Sequence, residues 1–249
     1  MSWERLLLDL VLGAIFGFSG GLFGIGGGVI AIPVLGLAFG MTEQVAQGTA
    51  LVMVVPNVML GLWRYYKRGS LHIRYALTLA GSAVPFTFVG AQIATRLPST
   101  PLRIAFGIFT LVVGVYTLWR SFGGGGKQRP AAPWYLASIV GAIGGILSGF
   151  FSVGGATFAV PAMNIFFGLS QAASQAMGLA LVAPGTLVGL ATYGAAGDVD
   201  WPTGIALAVG GAGAVSYGVD VAHKLPDRNL KILFAVFLFG ASAALLAHH

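Results

Sequence analysis

The sequence predicts an all-α integral membrane protein built from two inverted repeats. Each repeat is expected to be a glycine-broken helical hairpin followed by three transmembrane helices. Three observations support this fold class: an apolar composition, a repeat at a constant offset of 128 residues, and glycine runs that interrupt the first apolar stretch of each repeat.

The composition places most of the protein surface in lipid. Of 249 residues, 57% are hydrophobic and only 8% are charged, and the mean hydropathy is +0.88. Soluble domains carry about 25% charged residues, so a surface with this few must face a bilayer. A soluble enzyme, a disordered chain and a nucleic-acid-binding protein are therefore excluded. The net charge of +6 is attributed to cytoplasmic loops, and the absence of cysteine excludes disulfides and thiolate chemistry.

The chain repeats itself without a gap. Residues 13–33 recur at 141–161 with ten of 21 positions identical. The same offset later aligns Gln47 with Gln175, and it ends with phenylalanines matched in the last stretch of each half. The apolar segment 6–18 resembles a signal-peptide core, but its recurrence in mid-chain favours a permanent membrane element.

Eight apolar stretches divide equally between the two halves. The last three stretches of each half are about 20 residues long, which suits one crossing of a ~30 Å hydrocarbon layer. The first is too long for one crossing and is predicted to be a hairpin, either fully spanning or re-entrant. The first repeat is assigned to residues 1–122, with its hairpin at 4–40 and helices at 44–66, 73–95 and 100–120. A basic, glycine-rich linker is assigned to 123–132. The second repeat is assigned to 133–249, with its hairpin at 133–168 and helices at 172–194, 201–223 and 228–247.

Loop charge predicts that the two repeats have opposite orientations. An odd number of crossings in the first repeat would place the second upside down. The loop after the second stretch is rich in Lys and Arg in the first half, whereas its equivalent carries Asp198 and Asp200. The positive-inside rule puts the first loop in the cytoplasm and the second outside. Both termini are then external, and so are Arg96 and Arg103, against the rule.

The glycine runs are predicted to form an anion site. A broken helix in lipid is tolerated where it is buried in protein or lines a cavity, and paired breaks in two repeats indicate a transport site. The breaks were assigned to 20–21 and 24–28 in the first half, and to 149 and 154–155 in the second. Helix N-termini at the tips would offer amide hydrogens and a positive dipole end to an anion. The predicted binding residues are Gly24, Gly26, Gly27, Gly28, Gly154 and Gly155, with hydroxyl donors from Ser148, Ser152 and Thr157.

Close helix packing is the alternative use of glycine in membranes, and we favour it for Gly13 and Gly17. Other polar residues leave two interpretations open. Gln47 and Gln175 could donate to the anion or bond between helices, and Asn57 could cap freed carbonyls or touch substrate, with the cap favoured. The remaining assignments are membrane-interface anchors at Tyr65 and Tyr193, a helix-end ion pair between Asp220 and Lys224, and Asp9 as the one buried carboxylate.

The paired motifs carry a family resemblance. GLFGIGGGVIAIPVL and SGFFSVGGATFAVPAM resemble the two glycine-rich signatures of the TauE/SafE sulfite and organosulfonate exporter family, and the resemblance covers nearly the whole chain. The second motif departs at Ser152 and Ala156, where the first has Gly24 and Gly28. The resemblance implies a permease of the cell (inner) membrane that moves sulfite, sulfoacetate or a similar anion outward. The matching positions are Gly21, Gly24, Gly26, Gly27 and Pro33, then Gly149, Gly154, Gly155 and Pro161.

Transport is therefore the predicted function. Leaving a negative-inside cell is electrically downhill for an anion, so no coupling ion is required and an electrogenic facilitator is predicted, with proton coupling as the open alternative. No cofactor or metal is expected. The expected partners are a small anionic substrate and membrane lipid, not nucleic acid, and the apolar exterior is compatible with a homodimer. The alternative is a passive channel for small anions or neutral solutes with aquaporin-like inverted hairpins, although the tips lack Asn-Pro-Ala. An intramembrane enzyme is disfavoured because no base is expected beside Ser148.

Overall fold

The computed structural model describes residues 3–122, 132–151 and 154–246. Within these ranges the chain forms ten α-helices and no strand, which confirms the all-helical prediction. A short 3-10 turn at Trp134–Leu136 precedes the sixth helix. The helices are α1 (Trp3–Phe23), α2 (Gly28–Phe39), α3 (Glu43–Lys67), α4 (Ile73–Ala94), α5 (Ser99–Phe122), α6 (Ala137–Phe151), α7 (Gly154–Phe166), α8 (Gln171–Ala196), α9 (Trp201–Lys224) and α10 (Asp227–Leu246).

Eight helical segments within the described residues are long and apolar enough to cross a membrane. They include all the helices except α2 and α7, with α6 counted together with its preceding turn. The 12 residues of α2 extend about 18 Å, which is too short for a crossing. Each predicted hairpin thus has one long arm and one short arm, and the chain is a multi-pass membrane protein.

Helices α3 and α8 form the centre of the bundle. They are the most buried of the spanning helices, with 61% and 67% of their apolar spans inside the protein. They run antiparallel: a Cβ on Gly61 would contact Leu179 at 3.1 Å, and one on Gly189 would contact Leu51 at 3.2 Å. Helices α5 and α10 also pair antiparallel, and Ser242 Oγ donates to Gly107 O at 2.9 Å.

The long arm of each hairpin packs on a helix of the other half. Gly13, Gly17 and Gly21 recur every fourth residue along α1, and a Cβ on any of them would collide with the main chain of α9. The equivalent face of α6 meets the main chain of α4 at three glycines in the same way: Gly141, Gly145 and Gly149. Such small-residue stripes let membrane helices approach closely. The packing interpretation of Gly13 and Gly17 is confirmed.

Several residues predicted to lie in the breaks are helical. Gly20 and Gly21 lie inside α1, and Gly149 lies inside α6, so their assignment to the breaks is wrong. Gly21 and Gly149 admit the main chains of α9 and α4, whereas Gly20 admits the main chain of Gly26 and Gly27.

The first tip consists of residues 24–27, between α1 and α2. Gly28, Gly154 and Gly155 were also predicted to lie in the breaks, but they belong to the first turns of α2 and α7. Residues 152–153 lie outside the described residues.

Candidate substrate site

The first tip is a glycine turn with a buried helix start. Gly24, Gly26 and Gly27 have φ angles of 68°, 72° and 91°, in the left-handed region that only glycine adopts readily. Gly27 is the N-cap of α2 and makes no side-chain capping bond. Gly28 and Val29 are buried. A buried N-terminus without a side-chain cap leaves amide hydrogens available for another partner.

The first tip lies beside the second hairpin. A Cβ on Gly178 of α8 would sit 3.2 Å from Gly24 O and 3.5 Å from the Cβ of Ala156. Gly178 of α8 therefore lies close to both the first tip and the first turn of α7. The predicted donor Ser152 lies outside the described residues.

Protein atoms occupy the positions into which side chains at the glycines of the first tip would project. A Cβ on Gly24 would collide with Gln175, one on Gly26 would lie 2.7 Å from Val58, and one on Gly27 would collide with Phe16 O. These glycines therefore let neighbouring helices approach the turn. Direct contact between these glycines and a substrate stays a prediction.

Four of the predicted site residues carry buried polar atoms that have no hydrogen-bond partner among the described residues. None of the four is more than 2% exposed. Leaving such a group unpaired costs about 1–3 kcal/mol, so each requires an explanation such as a ligand or water. The atoms are both amide atoms of Asn57, the hydroxyls of Ser148 and Thr157, and Nε2 of Gln175. The capping role favoured for Asn57 is wrong, because its amide reaches no carbonyl within the described part of the chain.

The predicted interface tyrosines are instead buried between the halves. Tyr65 OH donates to Gln175 Oε1 at 2.9 Å and to Gly21 O at 3.0 Å. Tyr193 OH donates to Gln47 Oε1 at 2.5 Å. Both tyrosines are fully buried, so the anchor interpretation is wrong: a buried phenol needs an acceptor, and each glutamine supplies one. The two tyrosines are 128 residues apart in the sequence, and so are the two glutamines. This shared offset is the sequence signal for their pairing.

Two cavities occupy equivalent places in the two halves. The first, here the Glu43 cavity, has a volume of about 120 Å³ and lies between α2, the start of α3, Arg103 of α5 and the end of α10. The second, the Lys231 cavity, has a volume of about 20 Å³ and includes Gln171 and Arg120. Because one water-sized site needs about 10–15 Å³, only the Glu43 cavity has room for several waters or a small solute. Neither cavity is lined by glycines of the first tip.

Glu43 is a buried carboxylate that sequence reasoning missed. The helix predicted at 44–66 begins one residue after it, whereas α3 includes it as its first residue. Glu43 is only 7% exposed, and its Oε1 accepts a hydrogen bond from Gln47 Nε2 at 2.9 Å. Asp9 is also buried, so the expectation that Asp9 would be the one buried carboxylate is wrong. The available signal was spacing: Glu43 precedes Gln47 by one helical turn, as Gln171 precedes Gln175.

An ion pair joins the end of α9 to the turn after α3. Asp220 contacts Arg68 at 2.7 Å, so the predicted pairing with Lys224 is wrong. The neighbouring His223 Nε2 lies 2.8 Å from Ser70 Oγ. The tertiary fold supplies a nearer partner than the next turn of the same helix.

Two antiparallel central helices, surrounded by membrane-crossing helices and bearing unpartnered polar groups, are typical of a multi-pass membrane transporter. A family model described as "Sulfite exporter TauE/SafE" matches residues 10–245. The chain therefore belongs to the TauE/SafE family.

Two relatives match most of this chain, and a third matches about half of it. A "Probable membrane transporter protein" of Xylella fastidiosa (strain 9a5c) is 30% identical over 90% of this chain and 87% of its own. The "Probable membrane transporter protein YunE" of Bacillus subtilis is 24% identical over 92% of both chains. The "Sulfite exporter TauE/SafE family protein 3" of Arabidopsis thaliana is 32% identical over 49% of this chain and 25% of its own.

Proposed function

We propose that this transporter exports a small sulfur oxyanion or organosulfonate, such as sulfite or sulfoacetate, through a site between the two hairpin tips at mid-membrane. One observation carries the proposal: three buried polar side chains without a described partner lie at the first tip or at the start of α7. Gln175 lies against Gly24, Ser148 lies against Gly155, and Thr157 belongs to the first turn of α7. The family description and the printed name of the Arabidopsis relative support this choice of anion.

The available donors suit a sulfonate group. Its three oxygens accept hydrogen bonds, and the Ser148 and Thr157 hydroxyls, the Gln175 amide and the first amides of α2 all donate. None of these groups carries a full positive charge. Dipoles alone hold an anion loosely enough for release, since one helix terminus contributes about 0.3–2 kcal/mol.

We further propose that the two repeats are inverted relative to each other. The antiparallel packing of α3 on α8 and of α5 on α10 supports this arrangement, because each pair consists of equivalent helices. The basic turn after α3 is then cytoplasmic, and Asp198, Glu43 and Arg103 lie at the external end. Outward anion movement gains about 2.3 kcal/mol per charge per 100 mV, so facilitated export needs neither a cofactor nor catalysis.

The proposed site predicts that removing one hydroxyl slows transport. Liposomes containing the purified protein are loaded with sulfoacetate, and release is followed under an imposed membrane potential. Thr157→Val is expected to lower the release rate about tenfold, because a donor worth about 1.4 kcal/mol is lost where no described residue replaces it. Thr110→Val is the matched control, since this buried hydroxyl already donates to Phe106 O and Gly107 O.

Three outcomes would contradict the proposal. Equal release rates for Thr157→Val and Thr110→Val would show that the Thr157 hydroxyl is not part of the transport site. Release that never saturates with sulfoacetate concentration would favour the passive channel over a carrier. If the wild-type release rate depends neither on the membrane potential nor on which solute is loaded, the protein does not transport anions in the proposed way.

A further inference from the structure

We propose that the Glu43 carboxyl is a proton-binding site, and that its protonation favours entry of an anion into the Glu43 cavity. The inference rests on the proposed function only in taking a small anion as the solute. It assigns this chain a titratable switch at one end of the bundle, separate from the donors beside the first tip.

A hydrogen-bonded chain connects Glu43 with the centre of the protein. Gln47 Nε2 donates to Glu43 Oε1 at 2.9 Å, and Gln47 Oε1 accepts from Tyr193 OH at 2.5 Å. The Gln47 amide thus faces the carboxyl with its nitrogen and the phenol with its oxygen. Gln47 and Tyr193 are fully buried. A change in the charge of Glu43 is therefore felt at the contact between the two halves.

Arg103 gives the protonation state its consequence. It lines the same cavity as Glu43, and its Nε is buried without a hydrogen-bond partner among the described residues. When Glu43 is ionised, its negative charge offsets the positive charge of Arg103, and the cavity attracts an anion only weakly. When Glu43 is protonated, the guanidinium charge is uncompensated and attracts an anion. By reciprocal linkage, a bound anion also favours protonation of Glu43.

The second repeat contains a related arrangement with its acid in a different place. Gln171 stands at the position equivalent to Glu43, and Lys231 at the position equivalent to Arg103. The acid on this side is Asp227 at the start of α10, and its Oδ2 accepts from the Gln171 backbone N at 3.2 Å. Glu43 lines its cavity, whereas the described lining of the Lys231 cavity has a glutamine at that position and does not include Asp227.

Other ionisable groups lie near this end of α3. The α8–α9 turn reaches α3 nearly two turns beyond Glu43, where Asp200 N donates to Thr49 Oγ1 at 2.9 Å. No ionisable side chain of α2 or α10 lines the cavity within the described residues. The groups near this end are Arg103 from α5, Tyr193 from α8, Asp198 and Asp200 from the α8–α9 turn, and Arg5 and Asp9 from α1. Arg96 precedes Leu97, whose carbonyl accepts from Gln44 Nε2 at 2.6 Å.

The test measures anion binding to the purified full chain as a function of pH. Methanesulfonate is the probe, because its charge stays constant across the range in which carboxyl groups titrate. Wild-type affinity is expected to fall about tenfold as the pH rises through the range in which the Glu43 carboxyl ionises. Glu43→Gln, which mimics the protonated state, is expected to bind tightly with no pH dependence. Glu4→Gln, the matched change at the other glutamate, should keep the wild-type profile.

A second variant keeps the inference testable if Glu43→Gln does not fold. Gln171→Glu places a carboxyl beside Lys231 and is expected to add a second pH-dependent loss of affinity. A pH profile that persists in Glu43→Gln, or a Gln171→Glu protein identical to wild type, overturns the inference while methanesulfonate binding still supports the proposed function. Wild-type protein that binds methanesulfonate at no pH overturns both.

Discussion

The two repeats of this transporter share a scaffold but differ in chemistry. Both place a glycine stripe against the other half, and both bury a tyrosine that donates to a glutamine across the central crossing. The first repeat then adds Glu43 and a cavity of about 120 Å³, where the second has Gln171 and a cavity of about 20 Å³. Duplicated packing positions preserve the architecture, while single substitutions at equivalent positions give each half its own role.

The unpartnered polar groups follow the same division. Ser148 and Thr157 in the second hairpin correspond to Gly20 and Val29 in the first, and Asn57 of α3 corresponds to Gly185 of α8. A Cβ on Gly185 would lie 2.9 Å from Thr87 Oγ1 and 3.5 Å from Ser148 Oγ, so this position has little room for a larger side chain. The proposed substrate site is thus asymmetric, although the packing positions of the two halves are nearly equivalent.

The shared glycine stripe is the place where the largest effect is expected. Gly17→Val would drive a branched side chain into the backbone of Gly211, and overpacking of this kind costs about 3 kcal/mol or more. We expect Gly17→Val and its equivalent Gly145→Val to yield little folded protein on size-exclusion chromatography. Gly81→Val is the control, because a Cβ at Gly81 meets nothing within 4 Å. Tolerance of Val at only one of the equivalent sites would show that the two interfaces are not equivalent in energy.

Loss of one buried phenol is expected to have an intermediate effect. Tyr65→Phe leaves Gln175 Oε1 and Gly21 O without their donor, which should lower the free energy of unfolding by about 1–3 kcal/mol. Thermal unfolding in detergent would measure the difference. Tyr217→Phe serves as the control because Tyr217 is 70% exposed. Equal melting temperatures for the two variants would mean that the crossing does not depend on this bond.

The smallest effect is expected at the exposed ion pair. Arg68 and Asp220 side chains are 47% and 30% exposed, and exposed pairs contribute about 0–1 kcal/mol. A double-mutant cycle with Arg68→Gln and Asp220→Asn should give a coupling energy in that range that shrinks at high salt. A coupling above about 2 kcal/mol would reveal a structural role for this contact between α9 and the turn after α3.

Sequence patterns identified the packing glycines but not the limits of the breaks. Gly13 and Gly17 follow a four-residue spacing, which is typical of close helix contacts in membranes. Gly20, Gly21 and Gly149 lie near the interruptions in sequence, and nothing local distinguishes a glycine that ends a helix from one that admits a neighbour. Tyr65 and Tyr193 were misassigned for a similar reason, since an aromatic residue near a helix end suits both an interface and a buried crossing.

The sequence by itself determined the solvent, the duplication and the residue equivalences, because composition and repeat register are properties of the chain alone. The tertiary structure decided which surfaces meet: α1 on α9, α6 on α4, Asp220 with Arg68, and Glu43 inside a cavity with Arg103. Periodicity reports that a helix face is small or apolar, but it carries no information about the partner. The burial and charge of a side chain depend on that partner, and this is why the buried acid is evident only in the folded protein.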